Sequence, residues 1–72
     1  MPYYICNKNV DDKGRHEIHT TSCTRLPLEK NRLNAGFHND CKGAIQQMED
    51  ANRGKNFNFD GCYYCCPACH KG

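Results

Sequence analysis

The sequence predicts a small α+β fold in which a short antiparallel β-sheet packs on one α-helix. Three observations predict this class. The first residues are aromatic and β-branched, residues 40–53 repeat apolar side chains at helical spacing, and seven cysteines in 72 residues are typical of a cross-linked small domain. A chain of this length has room for one hydrophobic core, so we expect residues 1–72 to form a single domain.

The N-terminal segment predicts a β-hairpin. Residues 3–6 favour a strand, residues 11–14 have the composition of a turn, and residues 15–19 are expected to return as the second strand. Side chains alternate between the two faces of a strand. We therefore expect His19 at the end of the second strand, on the opposite face from Ile18.

The connections on either side of the helix carry weaker patterns. Residues 24–33 contain a proline and alternate polar side chains, which predicts a loop or a short helical turn. Residues 33–38 are expected to form a short third strand, and the alternation in residues 56–59 predicts a last one. Pro67 is expected to begin a short terminal helix.

One helix is predicted over residues 40–53. Either Asn39 or Asp40 has a side chain suited to its N-cap, and Gly54 is expected to end it in a left-handed conformation. A single stripe of apolar residues faces the sheet in this prediction. The stripe consists of Cys41, Ala44, Ile45, Met48 and Ala51.

The composition indicates that a covalent or metal cross-link supplements the core. Leucine, isoleucine, valine and phenylalanine fall below the roughly 20% that a self-sufficient core usually needs. The first residues lack the pattern of a secretory signal, the number of cysteines is odd, and no run is long enough to span a bilayer. We therefore expect reduced thiols and a cytoplasmic protein, with a disulfide framework as the alternative.

Two pairs of residues have the spacing of zinc ligands. His19 and Cys23 lie four residues apart, and Cys62 and Cys65 lie three apart. A structural zinc site takes four thiolate or imidazole ligands, usually supplied as such short-spaced pairs. The sequence therefore predicts one Zn²⁺ per chain that joins the hairpin to the C-terminal segment.

The C-terminal cluster also offers alternative ligands. Cys66 and Cys69 repeat the same spacing, and His70 follows directly. Adjacent side chains point in opposite directions on an extended chain, so Cys65 and Cys66 are not expected to share one metal ion. We favour Cys62 with Cys65 because they follow a glycine, and we expect Cys66 to be a small buried side chain.

The remaining cysteines and histidines are expected to have structural roles. Cys6 lies on a predicted strand and Cys41 on the apolar stripe of the helix, so both are predicted core residues. His16 and His38 have no cysteine at ligand spacing and are predicted to be surface or capping residues.

These ligand residues carry a family resemblance. The chain has a strand, the His19-to-Cys23 spacing, a leucine-rich loop, an alanine-bearing helix and the Gly61-to-Cys65 segment in that order. This order resembles the small metal-binding module at the N-terminus of the Ada DNA-repair proteins and its Ada-like zinc-binding relatives. The C-terminus is also similar to that of short uncharacterised bacterial proteins. The matching residues are Gly61, Cys62, Cys65, Cys69 and His70.

The resemblance implies that His19, Cys23 and two C-terminal cysteines bind zinc. In the Ada module all ligands are cysteines, and one of them accepts a methyl group from a DNA phosphotriester. His19 stands in the first ligand position here and cannot accept that methyl group as a thiolate. Ada-like relatives with a histidine there look like structural zinc modules, so methyl acceptance is only an alternative expectation.

No constellation of catalytic residues is recognised, so we expect a non-enzymatic interaction module. An unidentified protein is the favoured partner, and a pI near 8.2 indicates only a mild tendency to bind nucleic acid.

Thiol redox chemistry at the Cys62–Cys65 pair is a further alternative function. Free strand edges are compatible with a monomer or a weak homodimer. Nucleic-acid binding would use exposed basic and aromatic residues, namely Arg25, Lys30, Arg32, Tyr63 and Tyr64.

Overall fold

A computed structural model describes residues 1–71 and confirms the predicted α+β class. These residues form four strands and one α-helix, with a one-turn 3₁₀ helix before the third strand and another after the fourth. The elements are β1 (Tyr3–Asn7), β2 (Arg15–Thr20), a 3₁₀ turn (Glu29–Asn31), β3 (Arg32–Phe37), α1 (Cys41–Ala51), β4 (Asn58–Gly61) and a second 3₁₀ turn (Pro67–Cys69).

The four strands form one mixed sheet in the order β3-β1-β2-β4. β1 runs antiparallel to both β2 and β3, as the hairpin prediction requires, but β4 lies parallel to β2. The expectation of an entirely antiparallel sheet is therefore wrong for the last strand. The reason is that α1 packs on one face of the sheet and connects β3 at one edge to β4 at the other, so both edge strands run in the direction of β2.

The core lies between α1 and the sheet face that it covers. Cys6 and Ile18 are cross-strand partners on β1 and β2, and neither has any solvent exposure. The predicted core role of Cys6 is confirmed. The helix buries three residues of its predicted stripe, whereas Ala51 at its end is exposed. The buried cluster comprises Tyr4, Cys6, Ile18, Ala35, Cys41, Ala44, Met48, Phe59, Cys66 and Cys69.

The ends of α1 follow from identifiable caps. Asp40, one of the two predicted N-caps, accepts a hydrogen bond from the Gly43 N–H at 3.2 Å. The helix ends at Ala51, two residues earlier than predicted, because the backbone of Asn52 leaves the helical conformation with φ of −117° and ψ of 24°. The side-chain amide of Asn52 caps this end by donating to the Met48 carbonyl oxygen at 2.8 Å. Gly54 does adopt a left-handed conformation with φ of 86°, but in the turn beyond the helix.

The last strand begins later than predicted. Asn56 has a φ of 57°, a left-handed conformation that interrupts an extended chain, so β4 begins at Asn58. β4 pairs with β2 as far as Gly61, the residue directly before the C-terminal cysteines. The C-terminal cysteines therefore begin at the end of a strand whose neighbour, β2, carries His19 at its penultimate position.

Two side-chain predictions are wrong. His16 is buried rather than exposed: its Nδ1–H donates to the Asn7 carbonyl oxygen at 2.9 Å, and its ring packs against Phe57 and Phe59. Cys41 is a core residue as predicted, but it also forms a disulfide with Cys69. The expectation that all cysteines are reduced fails for this pair, because α1 packs against the second 3₁₀ turn and brings their Cα atoms to 6.4 Å.

Candidate metal centre

The four favoured ligand residues converge at one end of the sheet. A ligand atom from each of His19, Cys23, Cys62 and Cys65 lies within 4.8 Å of the other three. His19 and Cys62 are almost fully buried, whereas Cys23 and Cys65 are partly exposed. These four residues, called the Cys₃His cluster below, could hold a single metal ion.

The sheet positions the two buried members of the cluster. His19 pairs with Ile5 of β1, on the face opposite to α1, because Ile18 on the other side of the strand faces the helix. Cys62 directly follows β4, and its N–H donates to the Ile18 carbonyl oxygen at 3.0 Å. The parallel pairing of β4 with β2 thus extends by one hydrogen bond to Cys62.

Two tight turns position the exposed members. The N–H of Cys23 donates to the carbonyl oxygen of Thr20 at 3.1 Å, which closes the turn that follows β2. The N–H of Cys66 donates to the carbonyl oxygen of Cys62 at 2.8 Å, which closes the turn that contains Cys65. Each turn directs its cysteine side chain toward the strand ends.

The distances within the cluster suit a tetrahedral ion. The sulfur atoms of Cys23 and Cys62 are 3.8 Å apart, and the sulfur of Cys65 is 3.9 Å from Nδ1 of His19. A tetrahedral zinc ion with Zn–S bonds of about 2.3 Å has sulfur–sulfur edges of about 3.8 Å and slightly shorter sulfur–nitrogen edges. Small movements of the side chains would therefore bring all four atoms to bonding distance.

Backbone amides are directed at two of the sulfur atoms. The N–H of Thr20 donates to Sγ of Cys65 and the N–H of Arg25 donates to Sγ of Cys23, both at 3.3 Å. An amide donor stabilises negative charge on sulfur, so it favours the thiolate form that binds a metal. Burial still raises the pKa of the Cys23 thiol overall, and the Arg25 amide partly offsets this effect.

The imidazole of His19 has the properties of a neutral ligand. Burial lowers the pKa of His19, which favours the uncharged ring that coordinates metals. Its Nε2 is buried without a hydrogen-bond partner among residues 1–71, and Oε1 of Glu17 lies 3.7 Å away. With Nδ1 on a metal ion, Nε2–H would need only a small shift to donate to Glu17, an arrangement common around metal-bound histidines.

Glu17 was not recognised in the sequence as a functional residue. It lies two positions before His19 on β2, so strand alternation places both side chains on the same face. Burial, followed by the charges of nearby acidic groups, raises the pKa of the Glu17 carboxyl group. The i, i+2 spacing of an acid and a histidine on one strand is the signal that could have identified it.

The alternative ligands lie outside the Cys₃His cluster. Cys66 packs in the core, and burial together with the charge of neighbouring Cys65 raises the pKa of its thiol to about 12, which keeps it protonated. Cys69 is joined to Cys41, so its sulfur is no longer a thiolate. His70 donates from Nδ1 to the Gly61 carbonyl oxygen at 3.0 Å.

The glycine before the first C-terminal cysteine is required by close packing. A Cβ atom at Gly61 would lie 2.6 Å from both the Cys66 carbonyl oxygen and Cβ of Cys69. Any larger residue would push the C-terminal segment away from β4. Gly61 thus lets the chain fold back on itself directly beside the cluster.

Comparison with family models, curated proteins and solved structures found no match for this chain. The fold and the site by themselves define a small α+β protein with a Cys₃His cluster that could bind a metal ion. Within residues 1–71, no helix has the length and apolar character needed to cross a membrane.

Proposed function

We propose that this protein is a zinc-stabilised interaction module without catalytic activity. The observation that carries the proposal is the convergence of the Cys₃His cluster within 4.8 Å. Three thiolates and one imidazole are soft to borderline ligands that select zinc over magnesium or calcium. Four protein ligands also complete the tetrahedron, which is typical of structural zinc rather than of catalytic zinc with an open position.

The zinc ion would link segments that are distant in the chain. His19 and Cys23 come from the end of the hairpin, and Cys62 and Cys65 come from the segment after β4. Because the apolar core is small, the free energy of metal binding would contribute directly to folding. The module would then present its surface residues to a macromolecular partner.

Metal analysis of the untagged protein tests this proposal. We expect one zinc per chain, loss of the folded state on addition of a strong chelator, and a thiolate charge-transfer band after cobalt substitution. After denaturation and zinc removal, thiol titration should find the five cysteines outside the Cys41–Cys69 disulfide. A protein that contains no metal, remains folded with chelator and has its cluster cysteines oxidised would refute the proposal.

Two alternative activities predict different results in the same samples. An Ada-like methyl acceptor would gain one methyl group on a cysteine when incubated with methyl phosphotriester DNA, detected by mass spectrometry. A dithiol reductase would reduce an added disulfide substrate and form a Cys62–Cys65 disulfide as it turned over. We expect neither result. His19 stands where the Ada module has a cysteine ligand, and zinc binding would keep Cys62 and Cys65 from forming a disulfide.

A further inference from the structure

An exposed aromatic surface lies beside the metal cluster. Tyr63 and Tyr64 occupy the two positions between Cys62 and Cys65, and their side chains are 63% and 60% exposed. Phe37 is equally exposed, but the two tyrosines lie directly between two members of the Cys₃His cluster. These two tyrosines and Arg25 are called the aromatic patch below.

The rings of the patch are held in a fixed arrangement. The two tyrosine rings pack edge to face with centroids 5.3 Å apart, and Tyr63 packs in the same way against His70 at 5.4 Å. The guanidinium group of Arg25 lies 4.2 Å from the centre of the Tyr64 ring. Because both cluster turns carry members of the patch, zinc binding would fix the tyrosines and Arg25 relative to each other.

An exposed basic connection leads away from the patch. It leaves the cluster at Cys23 and crosses to the far end of the sheet, where the Asn31 carbonyl oxygen accepts from the Lys8 N–H. Arg25, Lys30 and Arg32 are exposed along it, and Nε of Arg32 donates back to Pro27 at 2.9 Å. The connection carries one acidic residue, Glu29.

The net positive charge of the sequence lies in the segments that contain the patch and the basic connection. Residues 20–32 and 60–71 contain four basic and two acidic residues, whereas the rest of the chain contains six of each. One of the two acids, Asp60, is buried and paired with Arg15, so it offers little repulsion to a ligand. The net charge of +2 therefore belongs to the segments that carry the patch and the basic connection.

From these observations we propose that the aromatic patch binds single-stranded nucleic acid, a partner class that rests on the zinc-module function above. Unpaired bases stack on Tyr63 and Tyr64, and Arg25 and the basic connection contact the phosphates. Stacking on aromatic rings accepts any base, and the few cations give salt-dependent binding of modest strength. A duplex, whose bases are already stacked, binds more weakly.

Fluorescence anisotropy with a labelled oligothymidylate and the zinc-loaded protein tests the proposal. We expect Tyr63→Ala and Tyr64→Ala each to weaken binding by roughly fivefold to a hundredfold, the range given by the loss of one stacked base. Tyr64→Phe keeps the ring and should retain most of the affinity. Phe37→Ala is the matched control, because Phe37 is equally exposed but lies on β3, away from the patch.

Charge variants and salt provide a second arm. Arg25→Gln should weaken binding, whereas Arg53→Gln, which removes a highly exposed arginine beyond α1, should not. Affinity should fall by about tenfold or more between about 50 mM and about 200 mM salt if several phosphates are contacted. If poly-glutamate binds as tightly as the oligothymidylate, the nucleic-acid proposal is overturned in favour of an acidic protein partner.

Zinc content measured on the same samples separates the two proposals. Two results refute the nucleic-acid inference alone, provided that the protein contains one zinc per chain. The first is no oligonucleotide binding at low salt. The second is an equal loss of oligonucleotide affinity in Tyr63→Ala and Phe37→Ala. Absence of zinc from the folded wild-type protein refutes the zinc-module function. Specific loss of oligonucleotide binding in the patch variants with zinc retained supports both.

Discussion

Two alanine substitutions in the C-terminal cluster distinguish a ligand from a core cysteine. Cys62 and Cys66 have nearly identical exposure, 2% and 3%, and each substitution removes the same sulfur atom. Only Cys62 belongs to the Cys₃His cluster, whereas Cys66 packs in the core with a protonated thiol. The pair is therefore a matched test of which cysteine binds zinc.

The expected magnitudes differ widely. A domain of this length has a free energy of unfolding of roughly 4–11 kcal/mol. A bound zinc ion at a free concentration of 1,000 times its Kd supplies about 4 kcal/mol of that total, and more at tighter affinity. Cys62→Ala should therefore lose about 4 kcal/mol or more of unfolding free energy. Cys66→Ala loses only a small buried group and should cost about 1 kcal/mol.

Zinc stoichiometry and urea unfolding, measured at fixed free zinc, provide the assay. We expect about one zinc per chain for the wild type and for Cys66→Ala, and little or none for Cys62→Ala. Retention of zinc by Cys62→Ala together with its loss from Cys66→Ala would refute the ligand assignment. Equal loss from both variants would show that Cys66 is also required at the site.

Three further predictions follow from the structure. Glu17→Gln should weaken zinc binding by roughly tenfold or more, because the amide is a poorer acceptor for Nε2–H of His19. Chelator competition measures this affinity, and an unchanged zinc affinity would remove Glu17 from the site. Burial raises the pKa of the Cys6 thiol to about 12. As the pH rises above about 8.5, the unfolded chain loses the Cys6 proton while the folded protein keeps it. The free energy of unfolding should therefore fall by about 1.4 kcal/mol per pH unit until the folded pKa is reached. Cys6→Ala should show a correspondingly shallower alkaline decline in urea unfolding, and an identical decline would contradict this assignment. The double variant Cys41→Ala/Cys69→Ala should lose about 3–4 kcal/mol of unfolding free energy, since the disulfide closes a loop of 28 residues. This variant should still bind zinc. Wild-type stability in the double variant would show that the disulfide does not constrain the chain.

Local patterns were sufficient to predict most of the secondary structure. Strand alternation predicted the hairpin and the face of His19, and the apolar stripe with an acidic N-cap predicted α1. Ends of elements were less accurate, because they depend on single conformations such as the positive φ of Asn56. Burial of His16 was missed because the phenylalanines that cover it lie more than forty residues further along the chain.

The candidate ligands were recognisable because short-spaced cysteine and histidine pairs reflect the geometry of a small ion. Sequence spacing alone could not decide between Cys62 with Cys65 and Cys66 with Cys69, since both pairs are separated by two residues. The fold distinguishes them: the extended pairing with β2 brings Cys62 beside His19, and the following 3₁₀ turn places Cys69 against α1.

The sequence by itself thus determined the α+β class, the helix, the hairpin and the four residues that could bind a metal, because each leaves a pattern within a few neighbouring positions. Only the tertiary structure decided the parallel direction of β4, the Cys41–Cys69 disulfide, the position of Glu17 beside His19 and the exposure of the aromatic patch. Those features depend on how α1 crosses the sheet and returns the chain to the end of β2. Contacts between segments so far apart are set by the packing of the whole domain and leave no local pattern in the chain.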